Sequence, residues 1–175
     1  MKISTNDVDF QGNTVSDVNL NSVKGQLLQT NGETSGALVT GQYPWKRGNG
    51  DPASSRYGFA FPCSVKLKKF VYQGDQTGNA YTTSTILIFQ GYIDGVAQSI
   101  YMRMDFSNTT NGNVANKRFS QKFSSTSGSQ TDTEPVINKS YGSQISFQCV
   151  SLTGYNTNSV GHRLDVVVET QEDIE

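Results

Sequence analysis

The chain has 175 residues, enough for one domain with a buried core of its own. Hydrophobic residues make up 34% and charged residues 17%, so Ser, Thr, Asn, Gln and Gly carry the balance; this is too little charge for a self-repelling disordered chain and too little Lys, Glu, Ala and Leu for a helical surface. The net charge of −1 and the pI of about 5.8 offer no wide basic face for nucleic acid, and without a transmembrane-length apolar run or a signal-type apolar stretch at the N-terminus, no membrane insertion is expected.

The first 25 residues differ from the rest. Ile3, Val8, Phe10, Val15, Val18, Leu20 and Val23 punctuate a run of Asn, Asp, Ser and Thr at spacings that fit neither a helical stripe nor one strand. Such a segment cannot bury its apolar residues alone, so residues 1–25 are expected to be an extended attachment and trimerisation segment, with residues 26–175 forming a separate β-domain.

Residues 24–41 hold two apolar runs, Leu27-Leu28 and Ala37-Leu38-Val39, around Asn31-Gly32, which predicts a short hairpin or strand pair. Residues 42–58 read as a loop rich in Pro and Gly. Residues 65–72 predict a strand with Val65, Leu67 and Val71 in one phase. Residues 84–93 form a nearly continuous apolar run, as expected of a central strand buried on both sides, and Ile86 and Ile88 are expected in the core. Asp94-Gly95 follows, and then Ile100, Met102, Met104 and Phe106 alternate with Tyr101, Arg103 and Asp105. Strand, Asp-Gly and alternating strand is the strongest hairpin signal in the chain. Residues 107–113 predict a turn, 117–123 a short strand, and the stretch to about 134 a loop. Residues 144–150 alternate with Ile145, Phe147 and Cys149 inward. The stretch ending in Gly161-His162 reads as a turn, and residues 163–170 close the fold with Leu164, Val166 and Val168 on one face. Short strands separated by Gly, Asn and Ser turns predict an all-β fold, an antiparallel β-sandwich of jelly-roll type.

Little in the chain suggests catalysis. His162 is the only histidine, and no nucleophile elbow accompanies it. Asp105 and Asp165 lie in predicted strands, where a solvent-face role is the simpler reading than a hydrolytic pair. The oxygen-rich stretches Asp75–Asn79 and Asn108–Asn113 match no complete calcium loop and read as Asx turns. No metal, no cofactor and no enzymatic activity is expected. Cys63 and Cys149 fit no metal spacing; they are either two buried thiols or, if their strands pair, a disulfide. The lysines at 66, 68 and 69 read as a solvated strand face. The stronger lead is aromatic. Tyr43, Trp45 and Tyr57 lie in one loop, with Tyr72 and Tyr81 near strand ends, and such side chains suit glycan or protein contacts. The competing role for Trp45 is to plug the end of the sandwich or a subunit interface.

The segment Asp7-Val8-Asp9-Phe10-Gln11-Gly12-Asn13-Thr14-Val15-Ser16-Asp17-Val18 resembles the repeated Asp, Gly-Asn and apolar pattern of bacteriophage tail-fibre segments. Lys24-Gly25-Gln26-Leu27-Leu28-Gln29-Thr30-Asn31-Gly32 is similar to the element that often precedes a fibre's β-rich head. This resemblance implies a virion protein assembled in the host cytoplasm, a homotrimer held to other virion proteins through Val8, Phe10, Val15, Val18 and Leu20. It implies a distal head whose loops, here Tyr43, Trp45 and Tyr57, meet host surface glycan or protein. The near absence of a shaft departs from a typical fibre and leaves a second expectation open, a capsid decoration (cement), baseplate or collar protein. A carbohydrate-binding module is a third.

Overall fold

A computed structural model describes residues 27–44, 58–61, 63–76, 84–106, 117–138, 144–155 and 159–171. The attachment segment predicted at 1–25 therefore lies outside the described residues. So do Trp45, Tyr57 and Tyr81, the turn at 107–113 and most of both oxygen-rich stretches.

Nine strands and no helix occur among the described residues. In chain order they are β1 (Leu27–Ser35), β2 (Phe59–Ala60), β3 (Val65–Gln76), β4 (Ile86–Ile93), β5 (Val96–Asp105), β6 (Lys117–Gln121), β7 (Val136–Ile137), β8 (Gln144–Thr153) and β9 (Ser159–Thr170). One sheet runs β1-β9-β3-β6, with β7 sharing the β3 edge; the other runs β2-β8-β4-β5. All pairings are antiparallel. The two sheets form the expected sandwich, with Leu67, Phe70, Tyr72, Leu164 and Val166 of one packed with Leu87, Phe89, Met102, Met104 and Phe147 of the other. Leu164, Val166 and Val168 are core, as the alternation in residues 163–170 predicts.

The β4–β5 hairpin is the element most directly written in the sequence. Asp94 and Gly95 both take positive φ, 48° and 88°, which is the type I′ geometry whose twist matches two antiparallel strands. Asp94 also accepts a hydrogen bond from the Gln144 backbone, tying the turn to β8.

The β3 phase departs from expectation. Strict alternation from Val65 and Leu67 to Val71 would turn Lys69 into the core. A bulge prevents this: Leu67 pairs with Val168 and Lys69 with Val167, leaving Lys68 as the extra residue. Beyond the bulge Phe70 and Tyr72, not Val71, point inward, and both are fully buried. Lys66, Lys68 and Lys69 all lie on the outer face as a result.

Three further corrections follow from pairing. β1 passes straight through Asn31-Gly32 as one strand along β9, so no hairpin forms there. Its long partner supplies more backbone hydrogen bonds than a self-contained turn would. β9 begins at Ser159 and takes in Gly161-His162, read from sequence as a turn. In β4 the inward residues are Leu87, Phe89 and Ile93, while Ile86 and Ile88 face outward. Ile88 is nonetheless buried, 8% exposed, as expected of a central strand covered on both faces, so the correction falls on Ile86, which is only half-buried.

The sandwich also manages its edges. Gly41 and Gln42 exchange backbone hydrogen bonds with Cys149 beyond the short β2, and Ser124 does so with Tyr101 on the outer edge of β5. Unpaired edges invite association, and these contacts blunt two of them. Phe123, beside that cap, inserts between the sheets, 5.5 Å from Phe70 and 6.0 Å from Phe147 by ring centroid. Replacing Phe89 with Ala should cost about 3–5 kcal/mol in urea unfolding, and replacing Ile86 distinctly less. Equal losses would show that the β4 phase has been assigned to the wrong face.

Candidate functional site

The two outer faces of the sandwich differ in chemistry. On the β9-β3 face charged groups cluster at the bulge. Glu134, just before β7, accepts from Lys68 Nζ at 2.6 Å and Lys122 Nζ at 3.0 Å, with Lys66 at 3.9 Å. Lys68 also reaches Glu169 at 3.2 Å. Hydrogen bonds from Lys68 and Lys122 hold the Glu134 carboxyl down to about 2, and those from Glu134 and Glu169 raise the Lys68 pKa. The cluster sits where β6 gives way to β7 along β3, so it ties the two short strands to the bulge.

The outer face of β5-β4-β8 is aromatic and amide-rich. Register places Tyr101, Gln90 and Gln148 in one row across the three strands, with Ala97, Tyr92 and Ser146 in the next. Tyr92 donates its hydroxyl hydrogen to Gln148 Oε1 at 2.9 Å, and Gln148 Nε2 donates to Gly41 O. Gln90 Nε2 donates to Tyr101 Oη and Gln98 O at 3.2 and 3.1 Å. Tyr43 packs edge-on against Tyr92, ring centroids 5.5 Å apart. Ser146 lies buried in the same layer, and its hydroxyl has no partner. The face holds no charge until Arg103 and Asp105, farther along β5, so it is an amphipathic, pre-organised surface in which each tyrosine presents a ring and a hydroxyl.

Of the three loop aromatics predicted to make contacts, Tyr43, Trp45 and Tyr57, the structure describes Tyr43 alone, and it lies on this face. Sequence reading missed Tyr92, Tyr101, Gln90 and Gln148. The signal that could have found them is the polar half of each alternating strand, once the two neighbours of β4 are known. Val8, Phe10, Val15, Val18 and Leu20 fall outside the described residues.

Tyr72 belongs to the interior rather than to an exposed strand end. Its hydroxyl lies 2.6 Å from His162 Nδ1, and His162 Nε2 lies 3.0 Å from Gly36 O. A carbonyl can only accept, so Nε2 carries the hydrogen and Nδ1 receives the tyrosine's. The stacked pair, with His162 only 2% exposed, ties β3 and β9 to the end of β1. This corrects the reading of Gly161-His162 as the end of a turn. Asp165 lies on the outer face of β9, as expected, but is largely covered there, 8% exposed and 3.3 Å from Arg163 Nε. Cys63 and Cys149 are both buried free thiols, and burial pushes the Cys149 thiol up to about 12. Among the described residues no three His, Cys, Asp or Glu side chains gather to hold a metal ion.

No protein-family model matches the chain, and no curated protein matches it either.

Two outcomes test these assignments. Glu134 titrates lower in the folded chain than the ordinary 4.5, so its stabilisation is fully present above pH 4.5 and is lost as pH falls towards about 2. The thermal advantage of wild type over Glu134→Gln should therefore narrow through that window and shrink in high salt. An advantage unchanged down to pH 2 would place its origin elsewhere. Separately, Tyr72→Phe should cost about 1–3 kcal/mol in denaturant unfolding by removing the 2.6 Å hydrogen bond to His162 Nδ1; no measurable cost would mean the imidazole is satisfied without the hydroxyl.

Proposed function

We propose that this chain is a non-catalytic virion structural protein of the tail-fibre kind, whose β-sandwich is a head that binds host surface glycan or protein. The observation that carries this reading is the uncharged tyrosine and glutamine surface of β5-β4-β8, set opposite a charged, ion-paired face. Tyrosine gives large contact area with little side-chain entropy to lose, and amides add hydrogen bonds without the desolvation cost of full charges. The fibre-like pattern in residues 7–32 supports the setting. In this reading residues 1–25 anchor the chain to other virion proteins as part of a homotrimer, and Trp45 and Tyr57 serve with Tyr43 as contact residues.

A capsid decoration, baseplate or collar role is the second reading. A surface rich in tyrosine and amide would suit a virion neighbour as well as a host envelope.

The purified protein should compete with the virus for adsorption to its host. A Tyr43→Ala, Tyr101→Ala double variant should compete roughly tenfold less well, while Lys69→Ala, on the opposite face, should leave competition unchanged. Failure of the wild-type protein to compete at any concentration would overturn the receptor role and favour the decoration reading, which in turn requires many copies per particle.

A further inference from the structure

A groove of about 590 Å³ runs along the β5–β6 side of the sandwich, lined by Arg103 and Asp105 of β5, Phe119 and Gln121 of β6, and Gly128 to Gln130 of the loop that follows β6. Two features set it apart from an ordinary surface dent. The first is an underused guanidinium. The Arg103 side chain is only 14% exposed, yet it spends two donors on long contacts, Nη1 to Ser127 O at 3.3 Å and Nη2 to Asp105 Oδ2 at 3.4 Å. A guanidinium carries five N–H donors, and none of the Arg103 nitrogens is both sealed from solvent and unpartnered. Nε, which makes neither contact, is therefore open to solvent, and Arg103 is one of the residues that line the groove.

The second is a wall fixed in advance. Ser124 Oγ is within hydrogen-bond distance of Thr126 O, Ser129 O and Thr131 Oγ1, at 2.8, 2.8 and 3.0 Å. Gln130 Nε2 donates to Lys122 O and Asp132 Oδ1 at 3.0 and 2.8 Å. A loop laced this way loses little freedom when a ligand meets it.

The chemistry then selects the ligand. Arg103 can only donate and Asp105, as a carboxylate, can only accept. They stand two residues apart on one face of β5, and the Gln121 amide across the groove does both. A hydroxyl both donates and accepts, so adjacent hydroxyls on one ring satisfy such a pair together. An anion would gain Arg103 but meet the Asp105 carboxylate. The half-buried Phe119 ring offers an apolar surface for the C–H face of a sugar. We infer that this groove is a binding site for an uncharged pyranose, separate from the tyrosine and glutamine face. The inference rests on the surface-binding reading only for its biological setting.

The test uses the full-length protein labelled for NMR, with methyl glucoside, methyl galactoside and methyl mannoside as probes and glucuronate and inorganic phosphate as anionic comparators. At least one neutral glycoside should give saturable shifts at Arg103, Asp105, Phe119 and Gly128. Asp105→Asn, which keeps the side-chain shape, should weaken that binding roughly tenfold. Gln121→Ala, which leaves the Arg103–Asp105 pair in place, should weaken it as well, and Lys69→Ala should not. The inference is overturned if no neutral glycoside shifts those resonances, if the shifts fall at Tyr43 and Tyr92 instead, or if the anions bind better and Asp105→Asn tightens them. None of these outcomes overturns the adsorption competition, which depends on Tyr43 and Tyr101 and is read separately.

Discussion

The antiparallel ladder between β3 and β9 is the constraint on which the structure turns. It joins Val65 to Thr170 and Gln76 to Ser159, stretches nearly a hundred residues apart in the chain. The first of its two register shifts, with Lys68 as the extra residue, decides which side of β3 faces the core. Without that bulge, alternation would drive Lys69 inward and Phe70 and Tyr72 out. A buried unpaired ammonium costs several kcal/mol, and exposing two large aromatics forfeits a further ~2–3 kcal/mol each. The bulge removes both penalties at once. It also gathers Lys66, Lys68 and Lys69 on the outer face, where Glu134 and Glu169 meet them. The charged face and the aromatic core are thus two consequences of one local irregularity.

The second sheet is organised by the position of β4. Its neighbours on both sides bring polar side chains into register with Gln90 and Tyr92, while Leu87 and Phe89 fill the interior. Capping by Gly41-Gln42 and by Ser124 leaves the outer face of this sheet, rather than those edges, as the surface offered for contact. The groove beside Arg103 lies on the same strand, β5, so one alternating segment carries both candidate surfaces. Function and fold share the same period of two.

Local signals were legible in the sequence where a short stretch determines its own structure. Asp94-Gly95 fixes a type I′ turn, and the alternation from Ile100 to Phe106 and from Ile145 to Cys149 fixes faces. Reading failed where partners remote in the chain decide. Asn31-Gly32 resembles a turn until β9 is laid beside it. Ile86 and Ile88 look as apolar as Leu87 and Phe89, and only the opposite sheet separates them. The bulge at Lys68 was implicit in the run of lysines, since strict pleating would have buried one of them. His162 appeared as a loop residue because Gly161 precedes it and Arg163 follows, yet both belong to a strand. The candidate site was found through Tyr43 alone, because tyrosines and glutamines scattered along three strands form a surface only once register brings them together.

The central claim is that the outer face of β5-β4-β8, and not the lysine-rich face, meets the partner. Side-chain footprinting tests it most directly: tyrosine and lysine labelling of the protein, free and bound to host envelopes, read by mass spectrometry. Protection should fall on Tyr43, Tyr92 and Tyr101, with Lys66, Lys69 and Lys122 labelled as in the free protein. Protection of those lysines with the three tyrosines unchanged would contradict the account.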